Sequence, residues 1–189
     1  MSAIGEIGLD RLTIASITER ADVALGSFYN HFDNREEFLL TLSQQAVTDW
    51  IVDIHRLREA NFDNAVDRIC VGMVVLVRRS IHEPLWARFW TEALSRDLFE
   101  TTRDVRVVLE QLVSEGRDSG SFQVDEPSAM AAMLLGIAHQ CLLHITAQDE
   151  PVAAELEHTF ATAVLRLLGV DQAHLEAAVE NAITKTGNF

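Results

Sequence analysis

The stretch LTIASITERADVALGSFYNHF, from Leu12 to Phe32, decides the fold of this chain. Thr13 is a typical N-cap residue, and it predicts a short helix over 13–20. Asp22-Val23 then provides a tight turn into a second short helix, predicted over 25–31. Two short helices joined by a sharp turn are the signature of a helix-turn-helix unit.

The second helix of this unit is predicted to carry a polar outer face. Phe28 and Phe32 are four residues apart, so both side chains lie on one helix face and must point into a core. That packing turns Ser27, Tyr29, Asn30 and His31 at least partly outward. Each of these residue types alone is common on a solvated helix surface, and only their combination indicates a recognition helix for the DNA major groove.

The predicted roles follow from the chemistry of each group. A glycine such as Gly26 lets the backbone approach DNA closely. Tyr29 and His31 suit phosphate oxygens, whereas Asn30 suits an adenine edge. Arg35, at the start of the next helix, is predicted to act as a phosphate clamp. The full set of predicted DNA-binding residues is Thr13, Leu25, Gly26, Ser27, Tyr29, Asn30, His31 and Arg35.

Helical periodicity continues through the rest of the chain, and no run of alternating apolar and polar residues predicts a strand. The predicted fold class is therefore all-α. Helix starts are marked by Asn34 with Glu37 as a capping box and by Asp125 before Pro127, and helix ends by Gly116 and Gly169. The further predicted helices cover 35–57, 62–81, 84–95, 98–115, 126–147, 151–168 and 171–184.

The charge balance argues against strong non-specific DNA binding. The 189 residues include 15 basic and 29 acidic side chains, which gives a net charge of −14. Residues 1–48 alone contain three arginines and seven acidic residues. Because phosphate neutralisation supplies most non-specific affinity, this chain must rely on a few well-placed contacts.

The segment from Leu12 to Leu39 resembles the DNA-binding region of the tetracycline-repressor (TetR) family. The resemblance implies a helix-turn-helix DNA-binding domain at 1–48 and a helical effector-binding and dimerisation domain at 49–189. It also implies an obligate homodimer that binds a pseudo-palindromic operator in double-stranded DNA. Three residues depart from the family pattern, which usually has glycine at Asp22, serine at Ala24 and a polar residue at Leu25.

The N-terminal end also departs from the family. The first helix of the family should precede Gly8, where this sequence offers only Ser2 to Ile7, with Ile4 near the position of an apolar anchor. We therefore expect the first helix to be largely missing.

An effector pocket is predicted between the helices at 62–81 and 84–95. Met73, Trp86, Phe89 and Trp90 form an aromatic and thioether cluster there, where the family resemblance implies a ligand cavity. The alternative interpretation is that these side chains are ordinary core. A pocket with this lining predicts a small apolar or aromatic effector.

The helices at 126–147 and 151–168 each carry two apolar faces, which predicts that each packs against two partners. One partner would be the core and the other a second copy of the chain. The alternative is a helix buried on all sides. The residues predicted to form the dimer interface are Met130, Leu134, Ile137, Cys141, Leu156, Phe160 and Val164.

Other functional classes lack sequence support. Cys70 and Cys141 lie in apolar helical runs, which favours buried thiols in a reducing cytoplasm over a redox pair. Neither a signal peptide nor a membrane-spanning apolar run is evident, and Cys141 with His144 lacks a third metal ligand nearby. With no enzyme motif, cofactor or metal predicted, the expected function is a repressor released from DNA by its effector. The alternative is a helical ligand-binding or interaction module that no longer binds DNA.

Overall fold

The computed structural model describes residues 12–58, 62, 64–95, 99–147 and 155–187. The expectations for Ser2 to Ile7 and for Ile4 lie outside these residues. The described helices are α1 (Ile14–Arg20), α2 (Leu25–Tyr29), α3 (Arg35–Arg58), α4 (Ala65–His82), α5 (Pro84–Ser95), α6 (Phe99–Asp118), α7 (Pro127–Thr146), α8 (Glu155–Leu167) and α9 (Gln172–Lys185). No strand occurs among the described residues, and the all-α prediction is confirmed.

Two helix ends differ from their predicted positions, and local hydrogen bonds explain both differences. α4 begins at Ala65, three residues later than predicted, because the Asn64 side chain caps it by accepting from the Asp67 backbone N–H at 2.9 Å. α2 ends at Tyr29, two residues earlier than predicted. There the N–H groups of His31 and Phe32 both donate to the Phe28 carbonyl at 3.0 Å, so the last turn tightens and ends the helix.

Helix α4 forms the centre of the body. It packs against α3, α5, α6, α7, α8 and α9, and side chains on all of its faces are buried. Val74, Val77 and Cys70 are fully inaccessible to solvent. A helix with buried side chains on every face needs neighbours on every side, so the other helices are arranged around α4.

A charged network ties α4 to the last two helices. The Arg78 guanidinium donates from Nε to Glu157 Oε1 on α8 at 3.0 Å, and its Nη2 pairs with the other carboxylate oxygen. Its Nη1 donates to the Thr186 carbonyl and, at 2.9 Å, to the Thr186 hydroxyl at the end of α9. Both charged side chains are about nine-tenths buried. The bidentate geometry satisfies charges that would be costly to bury alone.

The α6–α7 connection differs from its prediction at Gly116. α6 does not stop there but continues to Asp118. The glycine instead makes room for the buried ring of Phe122, because a Cβ at position 116 would lie 2.0 Å from Phe122 Cδ2. Gly169 does end α8, with φ of +74°, and the neighbouring Leu168 carbonyl accepts from Gln123 N–H at 2.9 Å. These contacts hold the two connections together.

Candidate nucleic-acid interface

The first helix of the helix-turn-helix is capped as the sequence predicts. The Thr13 side chain accepts from the Ser16 backbone N–H at 3.1 Å, and the Ser16 hydroxyl accepts from the Thr13 N–H at 3.0 Å. After α1, Asp22 adopts the left-handed conformation with φ of 53°, which Asp tolerates better than most residues. The Val23 N–H then donates to the Thr18 carbonyl at 3.0 Å and closes the turn.

An aromatic cluster fixes the orientation of α2. Phe28 is 5% exposed, and its ring centroid lies 5.3 Å from that of Phe32 and 5.5 Å from that of Phe38. The Phe32 and Phe38 rings meet edge to face at 5.1 Å. Since Phe38 belongs to α3, this cluster joins α2 to the long helix.

The opposite face of α2 is open to solvent. Leu25 and Tyr29 are 51% and 53% exposed, Asn30 and His31 are exposed, and Ser27 is half-buried. A Cβ added at Gly26 would meet no atom within 4 Å, so the backbone here has the free approach that its predicted role requires. The outward orientation predicted for Ser27, Tyr29, Asn30 and His31 is present in the structure.

Two exposed residues beside α2 were not predicted as part of this face. Val23 is 47% exposed in the turn, and Arg20 is exposed in the last turn of α1. Val23 follows the turn residue Asp22 and does not continue the apolar stripe of either flanking helix. This break in the pattern is the sequence signal that could have indicated an outward side chain.

Arg35, predicted to act as a phosphate clamp, also makes a contact within the helix-turn-helix unit that the sequence did not predict. Its Nε donates to the Leu12 carbonyl at 2.7 Å, and its Nη1 lies 3.6 Å from Glu36 Oε1. The side chain is 25% exposed. The guanidinium therefore holds the start of the helix-turn-helix against α3, and the sequence pattern could not reveal this because Leu12 is 23 residues away along the chain.

Replacing Ala24 by serine is expected to stabilise α2. Ala24 is the N-cap of this helix and provides no side-chain hydrogen bond to the first turn. A serine hydroxyl would satisfy one of the free N–H groups, so the free energy of unfolding should rise by about 1 kcal/mol. Urea denaturation measures the change.

The matched control for that substitution is Ala15→Ser, which places the same hydroxyl in the first turn of α1, a helix that Thr13 already caps. This control should lower the free energy of unfolding by about 0.5 kcal/mol. Equal effects of the two substitutions would contradict the capping explanation.

The predicted pocket residues lie together in the body. Met73, Trp86 and Trp90 line an apolar cavity of about 30 Å³ between α4, α5, α6 and α7. Phe89 is 1% exposed and packs against Trp90, but it does not line this cavity. The remaining lining residues, which the sequence did not indicate, are Leu76, Leu94, Val105, Leu109, Leu135, Ala138 and Leu142.

A larger cleft of about 660 Å³ lies elsewhere, where the start of α4 meets the α6–α7 and α8–α9 connections and α9. Its walls are largely polar and exposed, with Asp67, Asp171 and His174 among them. The Asp171 side chain caps α9 and hydrogen-bonds His174, which lowers the pKa of this carboxyl. These polar groups are engaged with one another, so we assign no ligand to this cleft.

Four of the seven predicted dimer contacts require a correction. Leu134, Phe160 and Val164 are at most 7% exposed, and Cys141 is 8% exposed, all within a single chain. Met130, Ile137 and Leu156 also pack against the core of that chain. The four buried side chains point inward because α7 packs on α5 and α6 while α8 packs on α4 and α9. The three partly buried residues stay a prediction. The outward faces carry Met133, 56% exposed, and Leu167, 41% exposed.

The two cysteines are buried and free, as the sequence indicated. Burial raises the pKa of Cys70 to about 12, with a further contribution from the nearby Asp67 carboxylate, and it raises the pKa of Cys141 to about 11. Because the thiolate is the reactive form, both thiols stay protonated and unreactive at neutral pH. Among the described residues, no three His, Cys, Asp or Glu side chains are placed to share a metal ion.

A helix-turn-helix unit with an exposed second helix, followed by an all-helical body, is the arrangement expected of a DNA-binding transcriptional regulator. Residues 1–42 match the sequence model of the family described as bacterial regulatory proteins, tetR family. This match covers the helix-turn-helix unit, so the N-terminal part of the chain resembles the DNA-binding region of that family.

Individual relatives agree with this assignment. The chain is 26% identical over 172 residues to the HTH-type transcriptional regulator BetI of Escherichia coli O157:H7. The aligned region covers 86% of this chain and 88% of BetI. Its fold resembles that of RolR in complex with resorcinol, with a TM-score of 0.70, 22% identity and coverage of 93% of this chain and 86% of RolR.

A second solved structure with the same fold is the regulator FadR from Bacillus subtilis in complex with stearoyl-CoA. The TM-score is 0.73 at 18% identity, and the match covers 88% of this chain and 91% of FadR. The matches favour a DNA-binding transcriptional regulator, and the alternative of a helical module without DNA binding is not favoured.

Proposed function

We propose that this protein is a homodimeric, cytoplasmic repressor that leaves its operator when a small, neutral, apolar effector enters the cavity beside Trp86. The observation that carries the DNA-binding part is the outward face of α2, which a buried Phe28 holds in place. In this proposal residues 1–48 bind DNA, and residues 49–189 bind the effector and the second copy.

The exposed face of α2 is suited to apolar contacts and hydrogen bonds with DNA, and it carries few charges. Leu25 and Val23 offer apolar surface for thymine methyl groups, while Tyr29, Asn30 and His31 offer hydrogen bonds to phosphates or base edges. The acidic chain makes non-specific attraction weak. We therefore expect a large ratio of operator affinity to non-specific DNA affinity, even if the operator affinity is modest.

Replacing Leu25 by serine is expected to weaken operator binding by about tenfold, the effect of losing one good base contact. The side chain is 51% exposed, so the fold should be unaffected. A gel shift with DNA from upstream of the gene measures the affinity.

Val108→Ser is the control for this substitution, since Val108 is a 36% exposed apolar residue of α6, far from α2 in sequence. It should leave operator affinity unchanged. A Leu25→Ser protein that binds the operator as tightly as the original chain would remove Leu25 from the interface.

The dimer part of the proposal is supported by the uncovered face of α7. Helix α7 is apolar and long enough to cross a membrane. Only 22% of its apolar stretch is buried within the chain, so most of this stretch is not covered by the other helices. The core helices of soluble proteins can be equally long and apolar. Met133 and Gly136 form an exposed apolar surface on α7, and Leu167 is exposed on α8. Pairing this surface around a two-fold axis would bury it and place two α2 helices on a palindromic site.

Effector release is proposed to work as a population shift. An effector that binds the arrangement unable to hold DNA draws the dimer from its operator by at most its differential affinity for the two arrangements. Gel shifts over a library of neutral aromatic and aliphatic compounds, with sedimentation of the whole chain in parallel, test both parts. A monomer in sedimentation, or compounds that bind without changing operator affinity, would overturn the proposal.

A further inference from the structure

We infer that Val23 and Leu25 together read the C5-methyl groups of pyrimidines in the major groove, so that operator affinity responds to these methyl groups on thymine and on 5-methylcytosine alike. The inference rests on the proposed function, because it names the DNA chemistry that the exposed face of α2 selects. Its observation is a run of exposed apolar residues at the start of α2, the end of a recognition helix that meets base edges.

Exposed apolar side chains are concentrated at α2. Among the described residues, eight large apolar side chains are exposed, and three of them, Val23, Leu25 and Tyr29, fall within seven consecutive positions. Ala24, between the first two, is exposed as well. Single apolar side chains on a surface are common, whereas exposed apolar residues that adjoin one another favour a contact with a partner.

The backbone holds Val23 and Leu25 in place. The Val23 N–H donates to the Thr18 carbonyl at 3.0 Å. Leu25 is the first residue of α2, which the buried Phe28 anchors. Two Cα atoms separated by two residues lie at most about 7 Å apart, which is the rise of two base pairs. The two side chains therefore suit methyl groups on neighbouring base pairs, and little conformational freedom is lost on contact.

The residue types at this end of α2 exclude a side-chain readout by hydrogen bonds. Val23, Ala24 and Leu25 carry no side-chain donor or acceptor, and Gly26 has no side chain. In the major groove, base pairs differ in their donors and acceptors and in one apolar group, the thymine C5-methyl. Apolar side chains can therefore select bases only by that methyl group. Cytosine methylated at C5 presents the same group on the same edge and offers the same contact.

The charges near α2 increase the importance of base contacts. Glu19 and Asp22 precede α2, and Asp33 and Glu36 follow it, and all four are exposed. Because acidic side chains repel phosphates, sequence-independent attraction to DNA is weak in this region. The affinity for the operator then depends strongly on apolar burial against base edges.

Replacing thymine by uracil in the operator removes the methyl group and leaves base pairing unchanged. The probe is the shortest fragment from upstream of the gene that the original chain shifts, with thymines replaced by uracil one symmetric pair at a time. At the contacted positions the affinity should fall about fourfold for each methyl group, and hence about fifteenfold when both half-sites change. Gel shifts measure these ratios.

Cytosine provides the second arm of this experiment. A cytosine placed at a contacted position should bind weakly, and methylating that cytosine at C5 should strengthen binding by the factor that uracil loses. Equal factors are expected because the same methyl group enters the same apolar contact in both cases.

Val23→Thr and Leu25→Asn keep the shapes of the two side chains and make them polar. In each variant the ratio of affinities for thymine and uracil DNA should fall to about one at the position that this side chain contacts. Tyr29→Phe is the matched control, since Tyr29 is exposed on the same helix and its loss of a hydroxyl leaves the apolar pair intact. Its ratio should equal that of the original chain, whatever its affinity.

The uracil and cytosine series use the original chain, so they do not depend on the folding of any variant. Uracil without effect at every position, or a methylated cytosine bound no more tightly than an unmethylated one, would overturn the inference and leave the proposed function standing. Unchanged ratios in both Val23→Thr and Leu25→Asn would also overturn it. Failure of the original chain to shift any upstream DNA would overturn the proposed function and the inference with it.

Discussion

Replacing Glu157 by alanine is expected to lower the free energy of unfolding by about 3–5 kcal/mol, which is a large part of the stability of an ordinary domain. The substitution leaves Arg78 buried at 11% side-chain exposure without its carboxylate partner. The same arginine also holds Thr186, so the end of α9 should loosen as well. Thermal and urea unfolding followed by circular dichroism measure the loss.

A second arginine–glutamate pair on α4 provides the control. Arg68 pairs with Glu115 of α6, but the Glu115 side chain is 52% exposed. Glu115→Ala should therefore cost no more than about 1 kcal/mol. Combining Arg78→Met with Glu157→Leu should restore much of the stability, because neither charge then remains buried. A loss in Glu157→Ala as small as that in Glu115→Ala would show that the buried pair contributes little.

Replacing Phe28 by alanine is expected to reduce operator affinity at least about a hundredfold. Removing a buried phenylalanine side chain costs about 3–5 kcal/mol, and this ring is the contact that joins α2 to Phe32 and Phe38. A loss of 3 kcal/mol in the binding-competent conformation corresponds to about a hundredfold in affinity. Gel shifts with the operator measure the effect.

Phe122→Ala provides the comparison for that experiment. Phe122 is 3% exposed beside Gly116 in the α6–α7 connection, so its loss should destabilise the chain and leave operator affinity intact while the protein stays folded. Phe28→Leu keeps apolar volume, so its operator affinity should lie between that of the original chain and that of Phe28→Ala. Operator binding by Phe28→Ala within twofold of the original value would contradict the anchoring role of this ring.

Local patterns predicted the helix-turn-helix well because its determinants are close together in sequence. The spacing of Phe28 and Phe32 set the inward face, and the capping roles of Thr13 and Asn34 are local hydrogen bonds. Ala24 lacks a side chain able to cap, and the structure contains no such bond there. Arg35 could not be predicted in the same way, because its partner is a backbone carbonyl that only the fold brings near.

The predicted dimer contacts show where sequence patterns become ambiguous. α7 carries apolar residues on two faces, and periodicity treats Met133 and Leu134 alike as members of apolar stripes. Which stripe turns inward depends on how α5 and α6 pack against α7, which no local signal encodes. The prediction therefore chose Leu134, which is fully buried, over Met133, which is exposed.

The cavity prediction was limited in the same way. Met73, Trp86 and Trp90 come from two helices that are adjacent in sequence, and they do share a cavity. Phe89 is next to Trp90 but faces away from this space, because neighbouring helix residues are about 100° apart. The wall contributed by α6 and α7 depends on contacts between distant segments, so Leu109, Leu135 and Leu142 could not be assigned from the sequence alone.

The small size of the cavity also has a consequence for timing. A space of about 30 Å³ is far below the volume of about 300–1,000 Å³ that small-molecule sites have, so the proposed effector requires the helices to move apart. Association must wait for a spontaneous opening, and in rapid mixing its observed rate should level off at high effector concentration. The delay between the arrival of a signal and the start of transcription would then be set by an internal motion of the protein, independent of the concentration of the signal once that is high.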